Sequence, residues 1–181
     1  ISKSLKKNDP NHLNLGIRYG YIEQLDDELL RISKESFDAL SFNCYALSPD
    51  HEKMNHALEI SGLPMIIGEY HFGTVDRGLA QSLWQVNSQK ERGDAFRYYT
   101  ENAFAHRGLI GTGWFRWIDQ NINGRTDGEN YNCGFIDVTD RPYPYMVDAA
   151  IKTAKSLYEI HSGTKTPFHQ APNAVGHSPI P

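Results

Sequence analysis

The stretch LPMIIGEYHFG, Leu63 to Gly73, constrains the fold of this chain more than any other. Pro64 to Gly68 are all apolar or small, a carboxylate, Glu69, closes the run, and Tyr70, His71 and Phe72 follow it. A short apolar run bounded by proline and glycine suits a strand covered on both faces, as in a parallel sheet, although periodicity alone leaves a buried helix open. On the strand reading, Glu69 sits at the C-terminal end. In barrels of alternating strands and helices, catalytic groups collect at that face. A glutamate at a strand end is more often a cap or a paired charge, but the aromatic and histidine flanks of this one argue for chemistry.

The rest of the chain alternates around that strand. His12 to Tyr19 carries Leu13, Leu15 and Ile17 at period two and stops at Gly20, which predicts a first strand. Ile22, Leu25, Leu29 and Ile32 then recur at three and four residues, with acidic residues largely between them, which predicts an amphipathic helix from Tyr21 to about Ser33. Phe37 to Leu47 reads as a second strand. Ser48 followed by Pro49 reads as a cap and first turn of a helix ending at Gly62. The strand of Glu69 is the third. After it, Thr74 to Asn87 is long for a loop in a compact domain, and such loops are commonly functional or disordered. Ser88 to Glu91 forms a capping box for a third helix ending near Gly108. Leu109 to Trp117 predicts a fourth strand, which passes into a polar loop, and Tyr145 to His161 predicts a closing helix. Residues 163–181, rich in proline and without periodicity, read as an extended tail.

Four strand-then-helix units argue for a parallel sheet with right-handed crossovers. An open doubly wound sheet would show a glycine-rich turn after its first strand. Gly111, Thr112 and Gly113 only begin such a pattern, and the bulky Trp114 and Phe115 follow where a pyrophosphate needs close backbone approach. The alternative is part of an eight-fold (β/α) barrel of the TIM type, with residues 1–162 as about four βα units and 163–181 as the tail. The usual length of such a barrel is about 250 residues.

Composition narrows the partners. Acidic residues outnumber basic ones by 22 to 18, and no basic run extends beyond Lys3 to Lys7, so no nucleic acid is expected. No apolar stretch approaches the roughly 18 residues of a membrane span. The N-terminus, Ile-Ser-Lys-Ser-Leu, has neither an initiator methionine nor a signal-peptide core, so the sequence reads as a piece of something longer. Cys44 and Cys133 are too few for a disulfide framework and read as buried thiols.

No GxSxG elbow, HExxH helix, P-loop or zinc-spaced cluster is present. His161, His169 and His177 read as solvated tail residues, and neither a metal nor a cofactor is expected. What the sequence does hold is the equipment of a sugar site: Tyr45, Tyr70, His71, Trp114 and Trp117 beside Asn43, Asp119, Gln120, Glu129 and Asn130. Aromatic faces stack on the C–H face of a pyranose while amides and carboxylates bind its hydroxyls. Phe37, Phe42 and Phe104 read as ordinary core.

These residues carry a family resemblance. LPMIIGEYHFG with Asp76-Arg77-Gly78, and GWFRWIDQNINGRTDGENYNCGFIDVTDRPY from Gly113 to Tyr143, are similar to the last two strands and loops of the β-agarases, glycoside hydrolase family 50. DPNHLNLGIRYG, Asp9 to Gly20, resembles that family's fifth strand, and the Asn43 and Tyr45 segment its sixth. Gly113 and Arg116 depart from the family's commoner residues. The resemblance implies the C-terminal half of a retaining, clan-A glycosidase barrel acting on an agarose-type galactan or its oligosaccharides. Glu69 would be the nucleophile and Tyr45 the tyrosine that bonds it. Trp114 or Trp117 would lie near the floor of the cleaved-sugar subsite, and Glu129 and Asn130 against substrate hydroxyls. It also favours a secreted or periplasmic location.

Retaining hydrolysis needs a second carboxyl group about 5 to 5.5 Å from the nucleophile. The family keeps it on an Asn-Glu segment of strand four, and no Asn-Glu dipeptide occurs here. The acid is therefore expected from outside this chain, from an N-terminal half of the barrel. A second copy of this chain could cover the sheet but would bring no acid. Tyr45 and His71 are expected to donate to ionised Glu69. The competing reading is a half-barrel that only binds carbohydrate or only assembles.

Overall fold

The computed structural model describes residues 1–177. Its helices are α1 (Ser2–Asn8), α2 (Asp27–Ser36), α3 (His51–Ser61), α4 (Gln89–Phe104) and α5 (Pro144–His161), and its strands are β1 (Arg18–Tyr19), β2 (Leu40–Asn43), β3 (Met65–Tyr70), β4 (Trp84–Gln85), β5 (Leu109–Trp114) and β6 (Val175–Gly176). The main sheet has the order β1-β2-β3-β5, and β1–β2 and β2–β3 are parallel. Strands therefore neighbour each other in the order in which the chain makes them, with helices between, as the alternating pattern predicts for an α/β fold.

Two compact units divide the chain: residues 1–44, 50–69 and 106–113 in one, and 45–49, 70–105 and 114 onward in the other. In the first unit, Leu40 and Phe42 of β2 and Met65 and Ile67 of β3 are fully buried, with Leu30 of α2 and Met54 and Ala57 of α3 among the same core residues. The alternate residues Ser41, Asn43, Ile66 and Gly68 are only half-buried. In the second unit, α4 packs along α5. Tyr70 stacks on Tyr99 with ring centroids 4.1 Å apart, and its hydroxyl bonds Thr100 Oγ1 at 2.5 Å.

Several boundaries differ from the sequence reading. The first strand is confined to Arg18–Tyr19, and Leu13, Leu15 and Ile17 stay exposed at 72, 44 and 60%. Their period-two pattern has no apolar cover among the described residues. The predicted first helix is a 3-10 turn, Ile22–Gln24, followed by α2, because Asp26 accepts the Leu29 N–H and starts the helix there. Asp50, not Ser48, caps α3, accepting from the N–H groups of Glu52 and Lys53. That helix ends at Gly62 as predicted, because Gly62 takes the left-handed conformation at φ 68°. The fourth strand stops at Trp114. The long loop after β3 contains β4, which pairs antiparallel with β6 of the tail, so part of residues 163–181 is sheet. The end of that tail, 178–181, lies outside the described residues.

Candidate active site

In the first unit the site is built by an irregularity in β3. Phe42 pairs with Ile67, but Asn43 pairs with Glu69, so Gly68 is an extra residue in the ladder. A bulge re-aims the side chain that follows it. Without it, Glu69 would follow Met65 and Ile67 to the buried side of the sheet. With it, Glu69 joins Asn43 on the half-buried side, and Tyr70 goes inward instead. Arg18 Nη1 lies 2.8 Å from Glu69 Oε1, and Asn43 Nδ2 donates to Oε2 at 3.1 Å. The side chain of Glu69 is 19% exposed and that of Arg18 54%. The absence of a side chain at Gly68 makes room for this placement of the arginine: a Cβ there would come 2.5 Å from Arg18 Cδ. The arginine stem crosses the sheet over that gap.

The second unit holds the other candidates. His71 is buried, its Nδ1 is 3.0 Å from the Phe115 carbonyl, and its Nε2 accepts the Leu83 N–H at 3.1 Å. Burial pushes the imidazole down to about 3. Both ring nitrogens have backbone partners. Tyr45 packs edge-on against its ring, centroids 4.9 Å apart. The peptide bond Phe115–Arg116 is cis.

Trp114 donates Nε1–H to the Cys133 carbonyl at 2.6 Å and sits edge-on among Tyr70, Phe96 and Phe135. Trp117 is 68% exposed, with its ring stacked on Phe135. Of the two, only Trp117 presents a large open surface. Burial pushes the Cys133 thiol up to about 12, so it is inert.

Asp119 and Gln120 are buried, and their side-chain polar atoms bond within the unit. Asp119 accepts from Asn132 Nδ2, from the Gly134 N–H at 2.7 Å and from the Tyr143 hydroxyl at 2.6 Å. Gln120 accepts the Tyr131 N–H and donates to Glu129 at 2.7 Å. Glu129 is also 3.3 Å from Arg125 Nη1, with 22% of its side chain exposed. Asn130 accepts the Ala80 N–H and donates to the Ile122 carbonyl, tying two loops.

Sequence reasoning passed over Arg18, Arg92, Asn132 and Tyr143. Arg92 is fully buried, donates to the carbonyls of Asn132 and Gly134 at 2.9 Å each, and lies over the Tyr143 ring. Burial lowers the affinity of its guanidinium for a proton, and the nearby Asp119 charge partly offsets this. Its position three, four and seven residues before Ala95, Phe96 and Tyr99 put it on the apolar face of α4, the one available signal. Among the described residues no three His, Cys, Asp or Glu side chains gather as a metal would require, and no helix is long and apolar enough to cross a membrane.

No family model matches the chain. "Beta-agarase A" of Vibrio sp. (strain JT0107) is 37% identical over 165 residues, 87% of this chain and 16% of that protein. Two solved structures, an agarase, AgWH50C, and an exo-beta-agarase, superpose with a TM-score of 0.82 each, at 38 and 34% identity. They match 88 and 91% of this chain, which spans only 23 and 22% of theirs.

Proposed function

We propose that this chain, related to the β-agarases of glycoside hydrolase family 50 over most of its length, supplies the nucleophile of a retaining glycosidase that cuts β-galactosidic linkages of an agarose-type galactan. The observation that carries the reading is the bulge at Gly68, which turns Glu69 out of the core at the C-terminal end of β3 into the grip of Arg18 and Asn43. A carboxylate whose two oxygens accept from two separate donors is held in one orientation, as an attacking nucleophile needs.

The four strands of the main sheet are then strands five to eight of an eight-fold barrel. In support, β1 forms an unpaired sheet edge among the described residues, and Leu13, Leu15, Ile17 and Ile110 expose apolar surface. The remaining strands and the acid/base carboxyl come from outside this chain. Glu69 attacks the anomeric carbon, the glycosidic C–O bond breaks, and the leaving oxygen takes a proton from the acid. Water, deprotonated by the same group, then displaces Glu69. Within the second unit, Trp117 offers an exposed face for stacking on a sugar, with Glu129 and Asn130 as the groups for its hydroxyls.

The test is Glu69→Gln in the full-length enzyme carrying this chain, assayed on agar oligosaccharides. The amide keeps shape but is no nucleophile, so turnover should fall to below about 1% with binding retained. Turnover above a few per cent would move the nucleophile elsewhere. Wild-type protein that binds oligosaccharide and never cleaves it would leave a binding half-barrel.

A further inference from the structure

We infer that Arg18 is the cation that receives the negative charge of Glu69 when the covalent glycosyl-enzyme breaks down. The role rests on the nucleophile reading above. Its ground is geometric: Arg18 Nη1 is 2.8 Å from Oε1, the arginine stem lies over Gly68, where a Cβ would be 2.5 Å from its Cδ and 3.1 Å from its Cγ, and Asn43 holds the other carboxylate oxygen. The sheet thus keeps a gap for this arginine, and with a side chain 54% exposed the arginine does little for the core.

Charge bookkeeping along the reaction gives the arginine a direction. Free Glu69 carries a full negative charge, the glycosyl ester carries none, and each transition state lies between. A fixed cation beside Oε1 therefore stabilises the free enzyme more than the first transition state, and the second transition state more than the ester. In the second step water adds to the anomeric carbon and yields its proton to the general base. The bond from that carbon to the Glu69 oxygen breaks, and its electron pair returns to the carboxylate beside Arg18. Arg18 thus assists deglycosylation and, orientation apart, not glycosylation.

The two steps are measured separately in the full-length enzyme, with an aryl glycoside whose good leaving group makes glycosylation fast. For Arg18→Met, the deglycosylation rate constant should drop about tenfold or more, short of the roughly hundredfold that a fully enclosed oriented donor is worth, because this side chain is 54% exposed. The drop should show as a pre-steady-state burst of the leaving group and as a kcat and KM that fall together, with kcat/KM within about threefold of wild type. Arg18→Lys should recover most of the loss. Gly68→Ala, which crowds the arginine stem and brings a Cβ 3.3 Å from Asn43 Oδ1, should also lower the deglycosylation rate constant. A purely structural role would instead lower the unfolding temperature and kcat/KM with no burst, and that pattern overturns the inference. So does an unchanged deglycosylation rate in Arg18→Met while Glu69→Gln is inactive. Full turnover in Glu69→Gln would remove the underlying reading itself.

Discussion

The backbone N–H of Leu83 donates to Nε2 of His71 at 3.1 Å, and this fixes the state of the imidazole. An N–H only donates, so Nε2 carries no proton, and the Phe115 carbonyl at Nδ1 only accepts, so the proton sits there. A second proton would break the Leu83 bond inside a buried site. The ring is held neutral.

The folded-state pKa of His71, about 3 against an ordinary 6.5, makes a prediction with a definite sign. The unfolded chain takes up the proton first as pH falls, so the stability His71 contributes is whole above the unfolded value and is lost as pH drops from about 6.5 toward 3. In His71→Gln, where the side-chain amide keeps one donor and one acceptor, that loss is absent. Thermal unfolding of both proteins at about pH 7 and pH 4.5 should show wild type losing ground to the variant at the lower pH. An equal gap at both pH values would mean the ring is not held neutral. Either limb of an activity profile near neutrality belongs to another group.

A second prediction concerns Asp119. Its oxygens accept from Asn132, Gly134 and Tyr143, and its charge faces buried Arg92. Asp119→Asn removes a negative charge near a buried guanidinium and turns one acceptor oxygen into a donor facing donors, which should cost about 3–6 kcal/mol for two charge-assisted bonds lost. Tyr143→Phe removes two hydrogen bonds, one given to Asp119 and one taken from Asn132, and should cost about 1–3 kcal/mol. Urea unfolding ranks the two. A smaller loss for Asp119→Asn than for Tyr143→Phe would take the charge out of the account.

What the sequence carried, and what it did not, follows range. The β3 run, Glu69 at its end and the glycine stop of α3 were legible because each depends on a few consecutive residues. Gly68 inside a strand was also a readable bulge signal, but which residue it would aim Glu69 at was not, because Arg18 lies fifty residues earlier. The partners of Asp119 and Gln120 were not legible, because buried acceptors and exposed ones have the same letters and only the fold brings Asn132 and Tyr131 to them. The pairing of β4 with β6 joins Trp84 and Gln85 to Gly176 and Val175, two residues a side, too short for any periodicity. His12 to Ile17 shows a strand's alternation without a strand's pairing, because alternation reports a need for cover and not its presence.

The two tryptophans after β5 should separate cleanly. Trp117→Ala touches an exposed ring and should leave stability within about 0.5 kcal/mol. Oligosaccharide binding by the full-length enzyme should weaken roughly 3- to 10-fold, as loss of one aromatic face implies. Trp114→Ala opens the cluster of Tyr70, Phe96 and Phe135 and should cost about 3–5 kcal/mol. Calorimetry with agar oligosaccharides, beside thermal unfolding, checks both. Unchanged affinity for Trp117→Ala would remove it from the sugar site.

The last prediction is about residues 1–181 expressed alone. Among the described residues the sheet ends at β1, and a sheet edge with unpaired backbone groups recruits another strand. Beside it, Leu13, Leu15 and Ile17 are 72, 44 and 60% exposed, apolar surface that costs about 25 cal/mol per Å² in contact with water. The isolated chain should therefore self-associate in light scattering. Co-expression with the sequence that precedes it in the full-length enzyme should convert it to a defined complex. Replacing Leu13 and Ile17 with lysine separates cover from edge: it should raise the solubility of the lone chain and weaken that complex. Hydrolysis of agar oligosaccharides should appear only in the complex, since the chain carries Glu69 and no Asn-Glu acid. A monodisperse, active monomer of residues 1–181 would overturn both the half-barrel reading and the placement of the acid outside it.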